Sequence, residues 1–460
     1  MKNIPLKLHN SLTKTIEDFV PITEGKVGLY TCGPTVYNVA HIGNFRAYIF
    51  ADILRRTLEY ANYDVTHVMN LTDVDDKTIR DSQKAGESLK AFTEKYTDIF
   101  LADRDALNIV PAHQYTKATD YIPEMVAIIE KLLANGHAYT VEDLPAQAGG
   151  SVYFKVASDE KYGQLVPIDR ESLKTNAGGR IKSDEYEKDG AQDFALWKAW
   201  DAADGDVFWD TALGKGRPGW HIECSAMSMK TLGNHFDIHT GGVDNKFPHH
   251  ENEIAQSECA TGEHFVNYWL HNEWLLVDGK KMAKSAGNFH TLDDIRAKDI
   301  PLLAFRYLLL QTHYRTPLNF TWESLEASET ALKRLYAVYE ALGDAVGAVS
   351  DSYREKFAGA MADDLGAPQG LAVMWELAKD TSLSTADKKA TMLDLDRVLG
   401  LGLAQIAHEA LPEEIENLKI ARDNARAEKD WARSDVLRQE MENLGYVVKD
   451  TDDGQVVTRK

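Results

Sequence analysis

KVGLYTCGPTVYNVAHIGNFRAYIFADILRRTLEYANYDVTHVMN, residues 26–70, reads as a strand, a helix and a second strand. KVGLYTC, residues 26–32, is a short apolar run that ends at the turn formers of GPTVYN. Phe45, Ile49, Ile53 and Leu58 then recur at helical spacing as far as residue 60, and VTHVMN, residues 65–70, returns to a strand pattern. A strand, helix and strand of these lengths are the repeating unit of a doubly wound parallel sheet, so an α/β fold is expected.

Outward from this unit the pattern changes several times. Ile122, Met125, Ile128, Ile129 and Leu132 mark one face of a helix over 119–135, with Gly136 placed to end it. GHAYTV and GGSVYFKV are β-like, and 156–193 is charged and polar, as expected of a surface insertion between two halves of a sheet. Sheet-like sequence resumes at FDIHTGG, residues 236–242. From about Leu325 the chain turns helical. Leu332, Leu335, Tyr336, Tyr339 and Leu342 form one amphipathic stripe, while Phe357, Met361 and Leu365, then Met392, Leu395 and Leu399, begin two more, which predicts a helical bundle. A last helix around Trp431 to Leu444 precedes GYVVKDTDDGQVVTRK, where DDG predicts a hairpin turn.

The 460 residues suffice for roughly three or four domains, and 44% hydrophobic with 27% charged residues describes a folded chain rather than a fibrous or disordered one. Asp and Glu outnumber Lys and Arg by 72 to 51, so a polyanionic partner must meet a local basic patch, because the net charge of −21 repels it. Three cysteines, Cys32, Cys224 and Cys259, do not suggest a disulfide framework and point to a reducing compartment. The opening MKNIPLKLHNSL lacks a signal-peptide core, and no stretch approaches ~18 uncharged apolar residues; a cytoplasmic chain without membrane contact is expected.

Three groups of residues carry chemistry. His41 and Asn44 in HIGN stand at the start of the predicted helix, where unpaired N–H groups and a partial positive charge can hold phosphate. Lys281 and Lys284 in KKMAKSAGNF, with Ser285 and Gly287, sit in a short loop and could neutralise charge building on a phosphate. Cys32, Cys224, His249 and Glu253 form a donor set suited to Zn²⁺, with His249 and Glu253 four apart on one helical face. Each group also has a plain reading: a capping histidine, a basic surface loop, and two buried thiols beside a solvated helix face. The occurrence of HIGN and KMAKS in one chain, with sheet-like sequence between them, favours the chemical reading.

TCGPTVYN, HIGN, GWHIECSAMS, FPHHENEIAQSE and KMAKS together resemble the cysteinyl-tRNA synthetases, a class I aminoacyl-tRNA synthetase family, and the resemblance runs from about residue 28 to the C-terminus through NLTDVDDK, HTGGVD and AEKDWARSD. It implies a Rossmann-type catalytic domain in two halves, 1–124 and 211–265, split by a connective insertion, 125–210. A stem-contact fold with the KMAKS loop, 266–322, a helical bundle, 323–405, and a small C-terminal α/β anticodon-binding domain, 406–460, would follow.

The same resemblance implies one zinc ion held by Cys32, Cys224, His249 and Glu253 that binds the thiolate of L-cysteine, with Gly33, Thr72 and Trp220 lining the amino-acid pocket. A hydrophobic pocket discriminates against an added hydroxyl by only ~10²-fold, whereas serine's hydroxyl is a poor zinc ligand at neutral pH, so no editing domain is needed. His41, Gly43, Asn44, Gly241, Gly242, Asp244 and Lys284 would hold ATP with its Mg²⁺, and His41, Asn44, Lys281 and Lys284 would serve catalysis. Asn44 and Ala283 depart from the family's HIGH and KMSKS patterns: Asn still donates hydrogen bonds but carries no charge, and Ala283 removes one hydroxyl. The implied reaction is attack of the cysteine carboxylate on the α-phosphate of ATP, followed by transfer of cysteine to the terminal ribose of tRNA(Cys). Arg426, Trp431, Asp435 and Asp450 would read the anticodon, as suits single-stranded bases that stack on aromatic or guanidinium planes. A monomer is the family expectation. Two rivals share parts of the pattern: a cysteine ligase of the mycothiol type, which lacks the anticodon-binding tail, and an inactive zinc-binding paralogue.

Overall fold

The computed structural model describes residues 4–141, 150–168, 192–282, 287–345, 347–406, 412–451 and 454–459. Its centre is a five-stranded sheet whose strands are all parallel, in the spatial order Val266–Asn272, Phe236–Gly242, Lys26–Thr31, Asp64–Leu71, Gln114–Lys117. Its strands carry buried side chains on both faces, among them Leu29, Tyr30, Val68, Ile238, Trp269 and Leu270, as a sheet covered by helices on each side requires. Strand order reverses between Lys26–Thr31 and Phe236–Gly242, which opens a crevice beyond their carboxyl ends where such folds bind ligands. The expected doubly wound α/β fold is therefore present.

The helix Ile42–Tyr60 follows the first of these strands and buries Phe45, Ile49, Ile53 and Leu58, the four positions that set its period in the sequence. The expected helix over 119–135 is a turn of 3₁₀ helix, Ala118–Tyr121, continued by the α-helix Ile122–Ala134. Beyond it stands a separate five-stranded antiparallel sheet, in the order Ala138–Val141, Ser151–Phe154, Phe194–Ala199, Gly214–Pro218, Trp209–Thr211. This sheet takes in Gly214–Pro218, past the boundary at 210 expected from sequence. Most of the polar stretch 156–193 lies outside the described residues. Ion pairs fasten the insertion to the catalytic layer: Lys198 and Arg217, both buried, meet Asp76 at the start of the helix Asp76–Ala85, and Arg217 also meets Asp204 at 2.9 Å.

Helices Trp322–Glu340, Asp351–Ala362, Ala367–Lys379 and Thr385–Leu399 pack as a bundle around Leu335, Phe357, Met374, Met392 and Leu395, all fully buried, in a core continuous with the underside of the helix Ile42–Tyr60. Arg306 and Asp52, both inaccessible, pair at 2.6 Å across that junction. The last unit, helices Glu413–Ala427 and Trp431–Asn443 with the hairpin Tyr446–Thr451 and Gly454–Arg459, has a small core of Ile415, Met441, Tyr446 and Val448. Asp452 and Asp453 of the expected DDG turn lie outside the described residues. Among the described residues no helix is long and apolar enough to cross a membrane.

Candidate functional site

A cavity of about 470 Å³ occupies the crevice. Cys32, Gly33, His41, Gly43, Asn44, Trp220, Gly242, Asp244 and Lys281 all line it, so segments far apart in the chain meet there. Lys284 and Ala283 lie outside the described residues. Gly241 and Thr72 stand behind the wall. A side chain at Gly241 would run into the His250 ring, and one at Gly33 would collide with the Asn70 carbonyl, so both glycines permit close backbone approach. Thr72 shapes the loop after the first strand: its N–H donates to Pro34 and its carbonyl accepts from Val36.

His41 is the N-cap of the helix Ile42–Tyr60 and forms a capping box with Asn44. Its Nδ1 accepts the Asn44 N–H at 3.2 Å, and the Asn44 Oδ1 accepts the His41 N–H at 3.1 Å. A neutral ring whose Nδ1 accepts carries its proton on Nε2, so His41 is set up as a hydrogen-bond donor. The amide oxygen of Asn44 is spent on the cap, which leaves the Nδ2 group as its donor. The chain on either side of residues 283–286 closes on the same helix: Ile42 N–H donates to the His290 carbonyl, the Phe289 ring lies edge-on to His41, and Met282 abuts Gly43. Lys281 places its ammonium 3.5 Å from the centre of the Trp274 ring, at the rim of the cavity.

One ligand atom from each of Cys32, Cys224, His249 and Glu253 lies within 4.8 Å of the others. The sequence alone left their convergence open. Cys32 follows the strand Lys26–Thr31, Cys224 comes from the helix Trp220–Leu232, and His249 and Glu253 from the first turns of the helix His249–Thr261. The donor set suits a metal ion. Glu253 Oε2 lies 3.0 Å from His239 Nε2 and Glu253 Oε1 3.0 Å from His249 Nε2, so the carboxylate is held between two imidazole rings. Burial works against charge on His249, yet Glu253 and Cys224 still hold its ring up to about 10, so the cluster favours positive charge. Cys224 is pushed well up by its contact with Cys32 and by burial. Two sulfurs, a ring nitrogen and a carboxylate oxygen at such spacing fit tetrahedral coordination, with Cys32 also facing the cavity. Trp220 stacks on His249 with ring centres 4.4 Å apart.

Several functional neighbours were not singled out from sequence. His239, His250 and His271 pack beneath the ligands: Cys32 Sγ is 3.3 Å from His250 Nε2, and His250 Nδ1 is 2.7 Å from His271 Nε2. Cys32, His239, His250 and Glu253 make a second group with ligand atoms within 4.8 Å. Glu251 is inaccessible and accepts four backbone N–H groups, those of Gly163, Gln164, Leu165 and Val166, which fixes the ligand-bearing helix to the insertion.

In the C-terminal unit Arg426 and Asp450 are brought together at 2.6 Å, and Asp450 also meets Arg422 and Arg438. Trp431, 59% exposed, and Asp435 stand one turn apart on the surface of their helix. The bond from Arg422, with the charges of Arg422, Arg438 and Arg426, holds the Asp450 carboxyl down at about 2. A depressed carboxyl stabilises the fold above its unfolded value, 3.8, and the contribution is lost as pH falls through about 2. Asp450→Asn is therefore expected to be less stable than the parent at neutral pH, with the gap closing over that acid range. Trp431 fluorescence during thermal unfolding at stepped pH measures it; a gap independent of pH would remove the charge interpretation.

Residues 18–330 match the family described as tRNA synthetases class I (C) catalytic domain, and residues 408–457 match the cysteinyl-tRNA ligase anticodon binding domain. The cysteine–tRNA ligase of Brachyspira hyodysenteriae is 45% identical over 98% of this chain and 99% of its own. That of Protochlamydia amoebophila is 43% identical over 99% and 98%. The fold is shared with Mycobacterium tuberculosis methionyl-tRNA synthetase in complex with methionyl-adenylate, at a TM-score of 0.55 and 15% identity over 89% of this chain and 96% of the other. Full-length identity at this level, joined to matches for both the catalytic and the anticodon-binding parts, makes this chain a member of the cysteine–tRNA ligase family, an enzyme that activates cysteine with ATP and charges tRNA.

Proposed function

We propose that the enzyme selects cysteine through a zinc ion held by Cys32, Cys224, His249 and Glu253. The observation that carries the proposal is the double placement of Cys32, which belongs to the buried donor cluster and also lines the cavity. Zinc bound there would supply a soft Lewis-acidic position that takes a thiolate and refuses a hydroxyl. Gly33, Thr72 and Trp220 shape the space for the rest of the amino acid, Trp220 by covering His249 and Thr72 by holding the Pro34–Val36 loop.

ATP, carrying its own Mg²⁺, lies along the other arm of the cavity. His41, Gly43 and Asn44 meet the phosphates with the positive end of the helix Ile42–Tyr60, and Gly242 and Asp244, backed by Gly241, hold the nucleoside. The cysteine carboxylate attacks the α-phosphate in line; pyrophosphate departs. His41 Nε2–H, Asn44, Lys281 and Lys284 stabilise the charge on the phosphate oxygens, and Lys281 leaves the Trp274 ring to do so. The terminal ribose hydroxyl of tRNA(Cys) then takes the cysteinyl group, and AMP is released. The enzyme acts as a monomer in the cytoplasm, where its three free thiols persist.

Aminoacylation of a tRNA mixture with cysteine and with serine, alongside metal analysis of the same sample, tests the reading. Cysteine charging by protein with about one zinc per chain is expected; serine charging at a comparable rate, or full activity without metal, would refute it. The anticodon is read by Arg426, Trp431 and Asp435, with Asp450 orienting Arg426. Trp431→Ala should lower charging by about 10-fold, equivalent to ~1–3 kcal/mol of lost stacking, and leave cysteine-dependent pyrophosphate exchange unchanged. Loss of both activities would make Trp431 a structural residue instead.

A further inference from the structure

Arg46 lies in the first turns of the helix Ile42–Tyr60 and is only 4% exposed. Its Nη2 donates to the carbonyls of His313, Tyr314 and Thr316, the turn whose Tyr314 carbonyl also accepts the Glu273 N–H. Nε and Nη1 have no hydrogen-bond partner among the described residues, and no carboxylate there pairs with the guanidinium. Glu273 acts on the guanidinium through its charge, with no hydrogen bond or ion pair to it among the described residues, and other acids of this region are engaged elsewhere. Asp52 pairs with Arg56 and Arg306, and Asp364 with Tyr314 and Arg315. Burial lowers the guanidinium to about 10, with Glu273 opposing, so it stays charged at neutral pH.

Arg46 also lines a cavity of about 30 Å³, whose walls include Ile49, Phe50, Ile53, Leu309, Thr312 and Ala367. A water molecule needs ~10–15 Å³ of this kind of space, so the cavity admits a guest of one or two heavy atoms and no tetrahedral oxyanion. Two unmet donors on a charged group cost more than neutral ones, and among apolar walls a water would answer the hydrogen bonds without the charge. A monatomic anion answers both. We propose that this cavity is a binding site for a single halide ion, chloride under cellular conditions, held by Nε–H and Nη1–H of Arg46. The ion ties the base of the helix that begins with HIGN to the 313–316 turn.

Bromide is the probe. Crystals grown from halide-free protein and soaked in sodium bromide are expected to show an anomalous peak in this cavity within hydrogen-bond reach of Nε and Nη1. In solution, replacing sodium gluconate by sodium bromide or chloride at constant ionic strength should raise Tm by on the order of 2 °C per tenfold increase once the site is filling, as linkage requires. Arg46→Lys, which loses the fork, and Ala367→Leu, which fills the cavity and keeps the guanidinium, should both abolish that response. If Arg46→Lys does not fold, Ala367→Leu still decides. Water density without a bromide peak overturns the proposal. So does a bromide peak with no halide-dependent Tm, the signature of an adventitious ion only, or a response that survives in Ala367→Leu.

Discussion

Cys224→Ser is expected to strip the metal and reduce cysteine-dependent pyrophosphate exchange by at least about 10²-fold, while ATP still binds. Changing a residue that merely supports a metal ligand typically costs ~10–100-fold in metal affinity or activity, and Cys224 is proposed as a ligand itself. The serine hydroxyl is shorter-reaching than a thiol and does not ionise at neutral pH, so the buried cluster would keep Glu253 and His249 without the second sulfur. The proposed ATP site lies in a different part of the cavity, around His41 and Asp244, and Cys224 does not line that cavity. Metal content per chain, cysteine affinity and ATP affinity measured on one preparation separate these effects. Unchanged cysteine affinity in protein that has lost its metal would sever recognition from the ion; equal losses of cysteine and ATP binding would indicate a misfolded crevice. A thermal unfolding comparison guards against the second outcome.

The catalytic sheet was legible because its strands are short apolar runs separated by helices of clear period, and Lys26–Thr31, Asp64–Leu71 and Phe236–Gly242 fall where those runs stand. The edge strand Gln114–Lys117 left no such mark. It is four polar or aromatic residues, QYTK, whose place is set by pairing to Asp64–Leu71 and not by hydrophobicity. Donor chemistry and the i,i+4 spacing of His249 and Glu253 suggested the four proposed metal ligands and the family motifs supported them; only the sheet order, which sets Lys26–Thr31 beside Phe236–Gly242, gives the convergence a physical cause. His239, His250 and His271 escaped notice because a histidine in a strand or helix has no pattern that reveals what it packs against. Asp450 is similar. Its three arginine partners come from two helices, and no periodicity joins them to a hairpin strand.

His41→Asn should slow cysteinyl-adenylate formation by about 10²–10³-fold, the usual cost of removing one preorganised donor from a developing charge, and should leave metal content and cysteine affinity intact. Asparagine is the informative replacement because His41 has two tasks. Its Nδ1 accepts the Asn44 N–H as the N-cap, and an asparagine side-chain oxygen is an accepted N-cap that can do the same. What asparagine does not restore is an imidazole Nε2–H at the cavity wall. His41→Ala removes both functions and should add a stability loss of ~1 kcal/mol from the missing cap. Single-turnover formation of the adenylate with saturating ATP and cysteine isolates the chemical step from binding. If His41→Asn retained a rate within a few-fold of the parent while His41→Ala was slow, capping would be the contribution of His41, and phosphate charge would fall to the helix N-terminus, Asn44 and the lysines. If both variants were slow to the same extent, with Tm lowered only in His41→Ala, the Nε2 donor would be the part that catalysis uses.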